Sequence, residues 1–284
     1  MSPEIKQKAM LARLTITQFA GNKQDKAATD SVKEKFQTGQ DAGRYNKTLI
    51  AKAAIKAVSS AANGARIFHY AQTLPWKDDG ARILPAANFL QYSEGMRQKK
   101  ATFQAAVQKF VASYPDLIEE AKTRLAGLFN VNEYPDVNSI SDKYSFDMQI
   151  DPLPMAADFR VDLNSAEVDA IRKQIEARTD QATKAATLDL WKRLNTAVES
   201  MSERLNDPKA IFHDTLVTNI EEVTEIIPRL NLADDAALDR MAKDAKAKLT
   251  AKTPKQLREN INDRKETAKA ADDLLATMAA YMGA

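Results

Sequence analysis

A long stretch without proline or glycine, from Asn164 to Asn206, constrains the fold of this chain more than any other feature of its sequence. Apolar residues recur within it at every third or fourth position, the spacing that places side chains on one face of a helix. These positions are Val168, Ile171, Ile175, Ala182, Ala186, Leu190, Leu194, Val198, Met201 and Leu205. A helix of this length extends over roughly 60 Å, which exceeds the diameter of a small domain. We therefore expect part of its apolar face to pack against a partner helix from this chain or from another.

The two ends of this helix carry separate signals. Asn164 is a suitable N-cap, and Glu167 three residues later can complete a reciprocal arrangement that satisfies two backbone donors. Pro208 disfavours helical geometry in the residue before it, so we expect the helix to end at Asn206. Alanines at positions 182, 185 and 186 predict close backbone approach or a bend near the middle.

Composition limits the class of protein. The 284 residues, 44% apolar and 28% charged, are typical of a globular chain with one large domain or two modest ones. The absence of cysteine excludes disulfides, thiolate-bound zinc and a cysteine nucleophile. No early apolar run resembles a signal peptide, and none reaches the roughly 18 residues that span a bilayer, so we expect a cytoplasmic protein without membrane contacts.

The net charge of +2 conceals an asymmetry along the chain. Residues 1–110 contain 18 lysines and arginines against 8 acidic residues, whereas residues 111–163 contain 4 against 10. A basic first third predicts an acidic partner, which is nucleic acid, an acidic protein or the acidic middle of the same chain.

Local patterns divide the chain into strands and helices. Alternation of apolar side chains predicts strands at 12–19, 66–70, 146–150 and 159–163. Helical spacing and stop signals predict helices at 25–37, 47–63, 85–113, 116–129, 164–206, 208–227, 234–249 and 254–282. We expect Val32 and Phe36 to be the inner contacts of the helix at 25–37. Gly64 and Pro115 are expected to end the helices that precede them.

Together these elements predict an α+β fold that is mainly helical, with a small antiparallel sheet and packed helices in the amino half. An Asp-Gly turn predicts a hairpin or an ordered loop at 74–84. The long helix leads into a carboxyl-terminal helical bundle or coiled-coil hairpin, whose last helix opens with a capping box of Thr253 and Gln256. We divide the chain into a basic α+β domain at 1–163 and a helical domain at 164–284.

The sequence offers no constellation of catalytic residues. Its only histidines, His69 and His213, are far apart, and neither has a carboxylate or a second histidine at the spacing of metal ligands. The paired acids are explained by helix starts and solvated faces, no glycine-rich phosphate loop is present, and no serine lies in a nucleophile elbow. We therefore predict a protein that is not an enzyme, with no catalytic residue, metal site or cofactor.

Two features remain candidates for binding, and the first is the turn-containing segment at 74–84. Its candidate partner-binding residues are Trp76, Lys77, Asp78, Asp79 and Arg82. Either the tryptophan anchors a hairpin in the core, or the segment is a recognition loop, because tryptophan and arginine dominate binding hot spots.

The second feature is the mixture of cations and aromatic rings in the basic third. The residues predicted to bind nucleic acid are Arg44, Tyr45, Lys47, Arg66, Tyr70, Arg97, Lys99 and Lys100, with Phe68, Trp76 and Arg82 as further members of the set. Such a mixture holds single strands because cations follow the phosphates and rings stack on the bases. The alternative is that the rings belong to the core and the charges face solvent.

Three segments, at 14–26, 70–84 and 158–163, carry a family resemblance. Its most specific residues are Thr73, Leu74, Pro75, Trp76, Asp78, Gly80, Arg82, Asp158, Phe159, Arg160 and Val161. With these residues the chain resembles a family of uncharacterised bacteriophage and prophage proteins over most of its first 200 residues. Some members are encoded near MoxR-type ATPase and von Willebrand-type partner genes. The resemblance implies a phage context in the host cell cytoplasm, a role in protein assembly and an AAA+ ATPase as a candidate partner.

Three functional hypotheses follow, in order of preference. The first is a non-enzymatic, phage-type accessory protein that forms a homo-oligomer along its long helix and binds another macromolecule, such as a host or phage protein assembly. The second is a binder of single-stranded nucleic acid that uses the basic third. The third is a metal-dependent hydrolase or nuclease built on clustered carboxylates.

Overall fold

The computed structural model of the chain describes residues 8–76, 80–154 and 165–282 and has a mainly helical α+β fold, as the sequence predicts. Its helices are α1 (Lys26–Phe36), α2 (Lys52–Ala71), α3 (Phe89–Leu125), α4 (Ser165–Asn206), α5 (Thr215–Leu230), α6 (Ala236–Leu249), α7 (Pro254–Glu259) and α8 (Ile261–Met282). Its strands are β1 (Ala9–Thr17), β2 (Asn22–Gln24), β3 (Asn46–Thr48), β4 (Leu74–Pro75), β5 (Ala81–Pro85) and β6 (Ser145–Pro152).

One small antiparallel sheet contains four strands in the order β4-β5-β1-β6. Strand β1 pairs with β5 so that Ala9 lies opposite Pro85 and Arg13 lies opposite Ala81, and β4 forms a hairpin with β5. These pairings confirm the predicted sheet and the predicted hairpin. The predicted strand at 159–163 and the predicted N-cap Asn164 lie outside the described residues.

The described residues form two compact units, each discontinuous in sequence. The bundle unit comprises residues 8–13, 70–76, 80–92, 149–154 and 165–282, and the α1 unit comprises residues 14–69 and 93–148. The domain boundary predicted between 163 and 164 falls outside the described residues. The division into domains at 1–163 and 164–284 therefore stays a prediction.

Helix α4 is the central helix of the bundle unit and packs against α5, α6 and α8. Its predicted apolar face is buried from Ala182 to Leu205, and it ends at Asn206 as predicted. Trp191 extends this face, because its indole ring stacks on Tyr281 of α8 with 4.8 Å between ring centroids. The indole N–H donates to Asp235 Oδ2 over 3.0 Å, and Asp235 is also the N-cap of α6. One side chain thus joins three helices.

Helices α2 and α3 run antiparallel in the α1 unit. Phe68, near the end of α2, lies against Gly95, near the start of α3, where an added Cβ would be 2.1 Å from the ring. At the opposite end of the pair, Arg124 donates to the carbonyl oxygen of Leu49, just before α2, over 2.8 Å. The ring of Phe68 therefore occupies space that is open because position 95 is a glycine.

Helix α2 differs from its prediction at both ends. It begins later than predicted, because strand β3 occupies the preceding residues and pairs with β2. It also continues past Gly64, so the extended segment predicted at 66–70 is wrong. Ala65 and His69, beyond the glycine, are buried on the inner face of the helix. Burial of these side chains offsets the cost of about 1 kcal/mol that a glycine imposes on a helix interior.

Pro115 does not end a helix, contrary to the prediction, because α3 continues through it. The residue before it, Tyr114, is fully buried, packs against the ring of Phe110 and donates its hydroxyl to the carbonyl oxygen of Pro135 over 3.2 Å. Tertiary contacts on this side of the helix compensate for the single backbone donor that proline lacks.

The carboxyl-terminal helices match their predictions in type but not at every end. Helix α5 begins at Thr215 instead of at position 208. The capping box of Thr253 and Gln256 is present, but it opens only the short helix α7. The predicted last helix divides at Asn260, whose side chain accepts a hydrogen bond from the backbone N–H of Asn262 over 2.9 Å and thereby starts α8.

Candidate functional site

Part of the predicted recognition segment at 74–84 makes contacts within the bundle unit. Lys77, Asp78 and Asp79 lie outside the described residues. Trp76 is half-buried and packs against the apolar core of the bundle unit. Arg82 lies over the ring of Tyr70, 4.6 Å from its centroid, and its Nε donates to Thr73 Oγ1 over 2.7 Å.

A second arginine, Arg193 of α4, reinforces this cluster in the bundle unit. It donates to the carbonyl oxygens of Tyr70, Ala71 and Thr73, at and just beyond the end of α2, and it pairs with Asp189 over 2.8 Å. Burial, aided by the neighbouring Arg193, lowers the pKa of Arg82. The two guanidinium groups therefore satisfy carbonyl groups that a helix end leaves without partners.

Most residues of the predicted nucleic-acid set are separated or already engaged. Arg66 donates to the carbonyl oxygen of Ile16, Arg97 pairs with Glu94, and Lys99 lies over the ring of Phe68. Tyr70, Trp76 and Arg82 belong to the bundle unit, whereas the other members of the set belong to the α1 unit. Lys100 is exposed. Arg44 and Tyr45 are also exposed and are adjacent beside helix α1.

Lys47, another member of that set, is only 2% exposed. Its ammonium group lies 2.9 Å from Asp25 Oδ2 and 2.6 Å from Glu133 Oε2, and it donates to the carbonyl oxygen of Leu128 over 2.8 Å. This ion cluster joins strand β3 to the N-terminus of α1 and to the segment that follows α3. Its geometry suits a structural role inside the α1 unit.

The opposite charges of Lys47 and Asp25 stabilise each other's ionised forms. Burial acts to lower the pKa of Lys47, but hydrogen bonds with Glu133 and Asp25 outweigh burial and hold this pKa above its ordinary value. The pKa of Asp25 is lowered, first by the backbone N–H of Ala28, which Asp25 caps, and then by Lys47. Both groups therefore stay ionised over the neutral pH range.

An exposed apolar surface lies beside α1, and it corrects the expectation for this helix. Val32 and Phe36 were expected to face inward, but their side chains are 49% and 66% exposed, and the inner residue of the helix is Thr29. Together with Tyr45, which is 40% exposed, they border a groove of about 320 Å³. We call this surface the α1 groove; its principal lining residues are Val32, Lys33, Phe36, Ala42, Arg44 and Tyr45.

Hydrogen bonds fix both walls of the α1 groove. Thr29 Oγ1 donates to the carbonyl oxygen of Asp25 and accepts from the backbone N–H of Tyr45 over 2.9 Å. The backbone N–H of Asp25 in turn donates to the carbonyl oxygen of Tyr45 over 3.0 Å. Lys33 Nζ donates to the carbonyl oxygen of Gln40 over 2.6 Å. The loop that carries Tyr45 is thus tied to the helix at several points.

Sequence reasoning identified Arg44 and Tyr45 but placed Val32 and Phe36 in the core. The sequence did contain a signal against a buried apolar face on this helix. Val32 and Phe36 are its only large apolar side chains, and a polar residue, Thr29, lies on the adjacent part of the same face. Asp25 caps the helix and anchors its first turn through Lys47, so the helix does not depend on burying its apolar residues.

Comparisons with known proteins assign no family to the chain. No protein-family model matches it, and no curated protein or solved structure matches it either. In the part of the chain that the structure describes, no group of three or more histidine and acidic side chains is placed to hold a metal ion. None of the described helices combines the length and apolar character that a bilayer crossing requires.

Proposed function

We propose that this chain is a non-enzymatic protein that binds another macromolecule through the α1 groove. The observation that carries the proposal is the exposure of Val32, Phe36 and Tyr45 around one groove whose walls are held by hydrogen bonds. Apolar side chains clustered on the surface mark interaction sites more often than isolated ones do. Aromatic residues in such clusters contribute a large share of binding energy.

A protein partner accounts for this groove better than a small polar ligand does. Val32 and Ala42 offer no hydrogen bonds, so the groove suits an apolar side chain from another polypeptide. A second cavity of about 760 Å³ beside α1 is lined by Asp25, Lys47 and Glu133, whose charged groups already pair with one another. The α1 groove is therefore the surface that we assign to binding.

Affinity capture with three baits tests the proposal. The baits are the wild type, Phe36→Ser and the control Ile67→Ser, which removes a side chain of similar exposure, 70%, from α2. We expect the wild type and the control to retain a protein from a lysate of the cells that make this chain, before and after nuclease treatment, and Phe36→Ser to lose it. Equal capture by all three baits would contradict the proposal.

Single-stranded nucleic acid is the second candidate ligand. The observation that favours it is the presence of two rings, Phe36 and Tyr45, and two cations, Lys33 and Arg44, around the same groove. A gel-shift titration with oligothymidine at several salt concentrations tests it. We expect affinity to fall as salt rises and to be lost in Tyr45→Ser. Binding that is absent, or that is equal in Tyr45→Ser, would exclude this function.

We also propose self-association into a homo-oligomer and a cytoplasmic location, in the host cell if the chain is phage-encoded. The apolar face of the long helix supports self-association. The phage-type resemblance supports the location and suggests an AAA+ ATPase as a candidate partner. Cell fractionation tests the location, and purification of a MoxR-type ATPase with the wild-type bait would support the partner.

A further inference from the structure

The charged side chains that line the α1 groove have one sign. Among the residues that the structure describes, Lys33 and Arg44 line it and no carboxylate does. Neither cation forms an ion pair with any other residue in the described part of the chain, although Lys33 donates to the backbone and side-chain oxygens of Gln40. The acidic residues Asp30 and Glu34 of α1 lie two positions from Val32, so helical spacing directs them away from it.

We propose that the ligand of the α1 groove is an acidic polypeptide segment in which one apolar side chain is flanked by carboxylates. This inference rests on the proposed function and specifies the chemistry of the partner. The apolar side chain would lie against Val32 and Phe36, and a neighbouring carboxylate would pair with Arg44. Arginine suits this role because its planar guanidinium group can donate two parallel hydrogen bonds to a carboxylate.

The size of the groove supports a single anchoring side chain. Its volume of about 320 Å³ lies at the small end of the range for ligand sites, which extends over roughly 300–1,000 Å³. A segment of this kind gains most of its affinity from burying the anchor, while the charge pair at the rim adds selectivity and speeds association. The proposal therefore predicts separate effects for the apolar and the charged residues of the groove.

Selection from a displayed library of random peptides tests the proposal. The full-length wild type is the bait, and peptides that also bind Phe36→Ser are removed. We expect the remaining sequences to share one leucine, isoleucine, methionine or phenylalanine with aspartate or glutamate within a few positions. The most enriched peptide is then synthesised with a fluorescent label and titrated by anisotropy.

Two matched variants separate the contribution of charge from that of the apolar surface. Arg44→Gln removes one cation from the groove, and Lys100→Gln removes one from an exposed position on α3. We expect Arg44→Gln to weaken the selected peptide about twofold to fivefold and Lys100→Gln to leave its affinity unchanged. The effect of Arg44→Gln should diminish as salt rises, because the charges at the rim are exposed to solvent.

Each other outcome contradicts the inference in a distinct way. Groove-dependent peptides without acidic residues, or equal effects of Arg44→Gln and Lys100→Gln, would overturn the acidic ligand and leave a protein-binding groove intact. Failure to select any groove-dependent peptide would overturn the inference, whereas the proposed function is judged separately by the capture experiment. Displacement of the selected peptide by oligothymidine would indicate that the groove binds nucleic acid instead.

Discussion

At the scale of single residues, Lys47 illustrates how burial changes the role of a cation. A lysine in a basic segment suggests contact with phosphates, but this side chain is enclosed by Asp25, Glu133 and the carbonyl oxygen of Leu128. Removing one member of a buried ion cluster leaves uncompensated charge in a poorly solvated place. Stability, and not ligand affinity, is therefore the property that this residue should control.

Lys47→Met keeps the length of the side chain and removes its charge. We expect a loss of about 1–3 kcal/mol in the free energy of unfolding, because Asp25 and Glu133 then face each other without the cation between them. Urea denaturation followed by circular dichroism measures this change. The matched control is Lys143→Met at an exposed position, which should alter stability by no more than about 0.5 kcal/mol. Similar values for the two variants would contradict the structural role of Lys47.

The same variant should reveal a dependence on pH. The raised pKa of Lys47 means that its stabilising contribution is complete below about pH 10 and is lost as pH rises through the folded-state pKa. The lowered pKa of Asp25 means that its contribution is present above about pH 4 and is lost as pH falls through the folded-state pKa. The stability difference between wild type and Lys47→Met should therefore be constant between about pH 5 and pH 9 and shrink on either side. A stability difference that grows above pH 10 would contradict the raised pKa of Lys47.

At the scale of elements, two glycines of the helix pair α2 and α3 have opposite roles. A Cβ on Gly95 would overlap the ring of Phe68, whereas a Cβ on Gly64 would meet nothing within 4 Å. Gly95 therefore leaves room for the ring of Phe68, whereas Gly64 only weakens α2.

Alanine substitutions at these two positions form a matched pair. We expect Gly95→Ala to destabilise the protein by about 1–3 kcal/mol through overpacking against Phe68. Gly64→Ala should stabilise it by about 0.5–1 kcal/mol, because alanine is the better residue for a helix interior. Thermal unfolding followed by circular dichroism compares both variants with the wild type. Destabilisation by both substitutions to the same degree would be inconsistent with the packing at Gly95.

Elements were predictable where a local signal decided them and unpredictable where tertiary packing did. Asn206 ends α4 because proline follows nearby, and the capping box of Thr253 and Gln256 formed as the sequence indicates. Gly64 and Pro115 are local stop signals that packing overrides. For the candidate site, the sequence identified Arg44 and Tyr45. It missed their proximity to Phe36, because that proximity depends on a loop folding back onto α1 through Thr29.

At the scale of the whole molecule, the long helix α4 buries its apolar face over only part of its length. Its apolar face from Ala182 onward is buried in the core of the bundle unit. Val168, Ile171 and Ile175, in the amino-terminal part of α4, are only half-buried. We therefore predict that self-association, if it occurs as proposed, uses this part of α4, because an apolar helical face that retains solvent contact can gain stability by pairing with a second copy.

Light scattering after size exclusion tests this assignment with Ile171 and Ile175 replaced together by aspartate. We expect the wild type to shift toward a dimer as its concentration rises and the double variant to remain monomeric, because two carboxylates cannot be buried in an apolar seam without partners. The control is Leu90→Asp, which introduces a charge at a side chain that is already 80% exposed and should not alter the association. Circular dichroism on the same samples checks that the double variant is folded. A wild type that stays monomeric at every concentration would remove self-association, whereas equal dimerisation of wild type and double variant would place the interface elsewhere.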